Sequence, residues 1–149
     1  MVFFTCLGNV GFIWILTGFV LLLIPKYRRH GLWLLIALAA GALLSSFAVK
    51  ALIARMRPFD GLEPFELLIA APRDFSFPSG HTLASVSSAI ILCDADKRLG
   101  AAAWVLAALI ALSRLYLYVH FPTDILAGAA LGAAVSIAVL AISKRAVQR

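Results

Sequence analysis

Charge is scarce in this chain: 7 acidic and 13 basic side chains among 149 residues, or 13% charged, against about 25% for a soluble domain. That excludes an ordinary water-facing globular shell. Cysteine is nearly absent. Cys6 and Cys93 fall within or at the end of apolar runs without metal-ligand spacing, and read as small packing residues. The chain also has no Gly-x-Ser-x-Gly, so Ser113 lacks the strand-turn-helix elbow that a serine hydrolase needs.

Apolar length is what the chain has in excess. Hydrophobic residues make up 63% of it, and the mean hydropathy is +1.01. A helix crosses a hydrocarbon core of about 30 Å with about 20 mostly apolar residues, which predicts spans near 3 to 24, 31 to 53, 99 to 118 and 122 to 142. A fifth run, from about 79 to 93, is shorter and carries Ser85, Ser87 and Ser88. Its hydroxyls predict shielding by neighbouring helices. The expected architecture is all-α, a polytopic membrane bundle of about five helices forming one domain over residues 1–149. The first run lacks the basic n-region and small-residue cleavage site of a secretory signal, and is read as a permanent helix.

The net charge of +6 does not point to nucleic acid once the basic residues are placed. Lys26, Arg28 and Arg29 fill the first connection, Lys97 and Arg98 the third, and Lys144, Arg145 and Arg149 the C-terminal segment. All lie on one side of a five-span path. By the positive-inside rule that side is cytoplasmic and the N-terminus is outside. The opposite side carries Lys50, Arg55, Arg57, Arg73 and Arg114.

Three clusters on that opposite side carry the chemistry. Lys50 and Arg57 are seven residues apart, close to two helical turns. A helix continuing to Arg57 would place both cations on one face, with Pro58 ending it; Arg55 reads as an interfacial anchor. Pro78-Ser79-Gly80-His81 opens the short fifth run. Ser79 suits an N-cap, and the free amides behind Gly80 favour an anion. Ser113-Arg114 is followed by His120 and, four residues later, Asp124, with Pro122 suited to the first helical position. One turn lets the Asp124 carboxylate reach the imidazole and fix its tautomer. Between the first two clusters, Leu62 to Ala71 is too short to span and reads as an interfacial or re-entrant segment over the site.

Together the three clusters resemble the signatures of the type 2 phosphatidic acid phosphatase superfamily, which includes lipid phosphate phosphatases, bacterial acid phosphatases and vanadium haloperoxidases. The match is K-x-x-x-x-x-x-R-P at Lys50 to Pro58, P-S-G-H at Pro78 to His81, and S-R-x-x-x-x-x-H-x-x-x-D at Ser113 to Asp124, without substitution. Membrane members commonly have six spans, and five are read here. The resemblance implies His120 as nucleophile forming a phosphohistidine, with Asp124 orienting it and His81 as acid and then base. It also implies phosphate binding by Lys50, Arg57, Ser79, Gly80 and Arg114. No metal or other cofactor is expected, because fixed cations can serve the phosphoryl group.

The implied partner is a phosphorylated or diphosphorylated lipid in the bilayer, undecaprenyl diphosphate first, with phosphatidic acid and phosphatidylglycerol phosphate as alternatives. The expected location is a bacterial cytoplasmic membrane, with the site facing outward. A transporter or non-catalytic binding protein is disfavoured, since the span interiors are almost free of ionisable residues and every motif residue is present. Gly128 and Gly132, and Gly41 with Ala42 and Ser45, are expected to let helices pack closely within the bundle.

Overall fold

A computed structural model of the chain describes residues 1–61 and 66–147. Its helices are α1 (Val2–Gly8), α2 (Phe12–Leu23), α3 (Arg28–Leu43), α4 (Lys50–Ile53), α5 (Gly80–Ala95), α6 (Lys97–Tyr116) and α7 (Pro122–Val147). A 3-10 turn, Asn9–Gly11, joins α1 to α2, and a π-helical stretch, Leu44–Val49, joins α3 to α4. Among the described residues, four stretches are long and apolar enough to cross a membrane: Val2–Leu23, Arg28–Asp60, Lys97–Tyr116 and Pro122–Arg145.

The remaining helix, α5, has 16 residues and is held in the middle of the bundle against α3, α6 and α7. Its serines can be there because each hydroxyl finds a partner inside. Trp14 Nε1 donates to Ser85 Oγ at 2.9 Å, Ser87 Oγ donates to the Gly132 carbonyl at 2.9 Å, and Ser88 Oγ to that of Ala84 at 2.8 Å. In lipid an unpaired hydroxyl has no water to turn to, so such bonds favour the buried position. The expected shielding of this segment is what the fold displays. Glycines bring α7 onto it: a Cβ at Gly128 would stand 2.5 Å from the Ser79 carbonyl oxygen, and one at Gly132 2.5 Å from that of Leu83.

Local signals set the helix starts. Ser79 Oγ caps α5 by accepting the Thr82 N–H, Asp96 caps α6 by accepting those of Arg98 and Leu99, and Pro122 is the first residue of α7.

Two expectations about helix continuity fail. The first span is not one helix, because Val10 (φ 53) and Gly11 (φ 70) turn left-handed between α1 and α2. The second does not continue to Arg57: Ala54 adopts φ 45 after Ile53, and the chain runs on without regular structure to Pro58. The proline crowds the helical conformation of the residue before it. Lys50 and Arg57 thus do not share a helical face. Of the segment expected over the site, 62–65 lies outside the described residues, and 66–71 is irregular rather than helical.

The basic connections meet at one end of the bundle. There Arg29 donates to the Ser143 carbonyl, and Asp94 faces Lys144 at 3.0 Å and His30 at 3.4 Å. Since α3 begins at this end, α4 and the three clusters lie at the other.

Candidate active site

His120 sits in the turn between α6 and α7, and its Nδ1 is 3.4 Å from Asp124 Oδ2. With the proton on Nδ1 toward the carboxylate, Nε2 keeps its lone pair. Arg57 Nη1 lies 3.4 Å from that nitrogen. Burial first, and then the charges of Arg57 and Arg114, push the imidazole down to about 2 from its usual 6.5, so the ring is neutral at any physiological pH. A nucleophilic histidine must be in that state.

Asp124 is fully buried. Its Oδ2 also accepts the Phe121 N–H at 2.8 Å, and its carbonyl accepts the Ser79 N–H at 3.0 Å. The turn bearing His120 is thereby joined to the turn that opens α5. His81 follows in the first turn of α5, where its Nε2 lies 3.2 Å from Asn9 Oδ1. The break in the first span is what brings Asn9 there. Gly8 leaves room for the ring, since a Cβ at that position would meet His81 Cδ2 at 2.7 Å.

The cations gather on the other side. Arg57 is buried; it donates to the Val119 carbonyl at 2.6 Å, the Asp74 carbonyl at 2.9 Å and Asp74 Oδ1 at 2.7 Å. Lys50 pairs with the second oxygen of the same carboxylate. Burial alone would push Asp74 up, but Lys50 and Arg57 outweigh it and hold the carboxyl at about 2.

A cavity of about 610 Å³ unites these groups. At one end it is lined by Lys50, Arg57, Asp74, Gly80, His81 and His120; it then runs down between α2 and α3 along Ile15, Phe19, Leu35 and Leu38. Nothing lies within 4 Å of a Cβ built at Gly80, so the start of α5 is open. Two expected phosphate ligands stand back from the cavity. Ser79 Oγ is engaged by Thr82, at 3.4 Å from its N–H and 3.1 Å from its hydroxyl. Arg114, buried, donates to Thr5 Oγ1 of α1, while its Nε is buried without a partner. Among the described residues no three His, Cys, Asp or Glu side chains cluster as metal ligands do.

Three contributors escaped the sequence reading: Asn9, Asp74 and Arg55. Arg55, read as an anchor, instead bonds Asp124 Oδ1 at 2.9 Å. A usable signal existed only for Asp74, the acid closest before Pro78 on the side bearing the motif cations.

The arrangement has known counterparts. An undecaprenyl-diphosphatase of Sulfolobus acidocaldarius is 34% identical over 137 residues, 91% of this chain and 66% of the relative, so the chain spans just under two thirds of that protein's length. The crystal structure of a transmembrane PAP2-type phosphatidylglycerolphosphate phosphatase from Bacillus subtilis superposes with a TM-score of 0.75 at 29% identity, covering 95% of this chain and 74% of that one. LpxE of Aquifex aeolicus gives a TM-score of 0.78 at 29% identity, with coverages of 93% and 84%. The PAP2 superfamily profile matches residues 30–148, from α3 through all three motifs to the end of α7, and this membrane-spanning chain belongs to that superfamily.

Proposed function

We propose that the protein is a lipid phosphatase whose site faces away from the cytoplasm and removes phosphate from a lipid phosphomonoester or diphosphate. One observation carries the reading: a single cavity has cations and two imidazoles at one end and an apolar wall down the bundle at the other. That is the shape of an amphiphile with a phosphorylated head. His120 Nε2 attacks phosphorus in line, the bond to the leaving oxygen breaks, and His81 gives that oxygen its proton. His81 then takes a proton from the water that cleaves the phosphohistidine. Lys50, Arg57 and the Gly80 amide hold the equatorial oxygens, on which charge builds, and Arg114 adds its positive charge from behind the cavity wall. Ser79 acts through the α5 cap and its backbone bond to Asp124.

Undecaprenyl diphosphate is the substrate favoured here. The undecaprenyl-diphosphatase relative matches 91% of the chain and supports that choice; the Bacillus subtilis structure keeps phosphatidylglycerol phosphate beside it. Purified protein in detergent, assayed for phosphate release from undecaprenyl diphosphate, phosphatidic acid and phosphatidylglycerol phosphate, should give the highest kcat/KM on the first. The His120→Ala variant should lose about 10³-fold or more in turnover. A wild-type protein inert on all three refutes the enzyme reading, and a higher kcat/KM on a glycerolipid refutes the substrate.

A further inference from the structure

Asp124 presents a problem of charge. Its carboxylate is fully buried and its Oδ2 faces an imidazole that is neutral, so the histidine supplies no counter-charge. A buried carboxylate needs a charged partner or donors to hold it in place. Left unheld, Asp124 would no longer fix the proton of His120 on Nδ1. The compensating charge comes from outside the cavity. Arg55 Nη1 donates to Asp124 Oδ1 at 2.9 Å and to Thr123 Oγ1 at 2.6 Å. Its guanidinium lies 4.0 Å from the centroid of the Phe121 ring, and its carbonyl accepts the Ser76 N–H at 2.9 Å. Ring, hydroxyl and backbone thus fix the fork independently of the ion pair. Arg55 does not line the cavity.

We infer that Arg55 is a positioning residue for the reaction: its guanidinium holds the buried Asp124 carboxylate turned toward His120, so that His120 keeps its proton on Nδ1 and offers Nε2 to phosphorus. The inference rests on the reading of His120 as the nucleophile. It separates two arginines only two residues apart. Arg57 faces the cavity, beside Lys50 and the two histidines, whereas Arg55 acts through the carboxylate from behind.

The test uses full-length protein in micelles with ¹⁵N-labelled histidine. In the wild type, His120 should show a single Nδ1–H tautomer. Arg55→Gln should replace it with a tautomer mixture, and Arg55→Lys, which retains the charge, should restore most of it. On the preferred lipid, Arg55→Gln should lower kcat about 10- to 100-fold, as loss of an orienting partner does, with KM changed less than about threefold. Arg57→Gln, which loses a ligand of the phosphoryl oxygens, should raise KM as well as lower kcat. An unchanged Nδ1–H signal in Arg55→Gln overturns the inference, as does a loss confined to KM. The spectroscopic arm needs no turnover, so a wild type inert on lipids would sink the proposed activity and leave the role of Arg55 decided by the spectra.

Discussion

Replacing Gly8 by alanine offers a sharp test of His81 as the acid. The added Cβ would stand 2.7 Å from His81 Cδ2 and 3.1 Å from Ile110 Cγ2. A separation below 3.0 Å is not tolerated and ordinary contact begins at 3.4 Å, so the ring and the new methyl must part by about 0.3 to 0.7 Å. Such a retreat of the ring strains the 3.2 Å contact of His81 with Asn9. A catalytic group misplaced by about 1 Å costs about 10²-fold in rate, so a loss on the order of 10- to 100-fold in kcat is expected. It should depend on the leaving group. An alkyl phosphate lipid needs a proton on the departing oxygen, whereas an aryl phosphate with an acidic phenol does not. The assay is kcat on both substrates, with the thermal transition of the variant recorded alongside. Wild-type kcat on the alkyl lipid would refute the reasoning, and so would an equal loss on both substrates from a variant that folds normally.

Two further outcomes follow from the same geometry. Asp74→Asn removes the anion shared by Lys50 and Arg57 and should lower the inhibition constant for inorganic phosphate about tenfold, roughly 1.4 kcal/mol. The Asp74 carboxyl is held at about 2, below its ordinary value, so it is ionised at pH 5 and at pH 8 and the gain should be present at both. An unchanged constant would show that the carboxylate does not compete with phosphate. Arg73→Cys, in a background with Cys6 and Cys93 replaced by serine, should react with a membrane-impermeant maleimide in intact cells; reaction only after permeabilisation reverses the proposed orientation.

What the sequence disclosed and what it withheld divide along physical lines. Spans, caps and motif residues depend on neighbours within one or two turns: Ser79 as an N-cap, Pro122 opening α7, and His120 within reach of Asp124 were legible for that reason. The glycines at 128 and 132 were legible as packing residues, and the fold supplies α5 as what they pack on. Arg55 with Asp124, Arg57 with Asp74, and His81 with Asn9 join residues 69, 17 and 72 positions apart. Such pairs leave no local pattern. The left-handed residues Val10 and Ala54 were hidden as well, because neither valine nor alanine favours that conformation; tertiary packing imposes it. Those two breaks put Asn9 beside His81 and free Arg57 from the helix bearing Lys50.

The 3.0 Å bond from the Ser79 N–H to the Asp124 carbonyl acts as a jig. It clamps the turn carrying one imidazole to the turn carrying the other, and the α5–α7 glycine seam tightens the grip. The stretch from 66 to 73 is not part of that clamp. It can be lengthened, shortened or rewritten with the spacing of the two histidines left as it was, because loop length changes closure entropy only slowly. Two turns clamped in this manner keep their imidazoles in register whatever that stretch becomes.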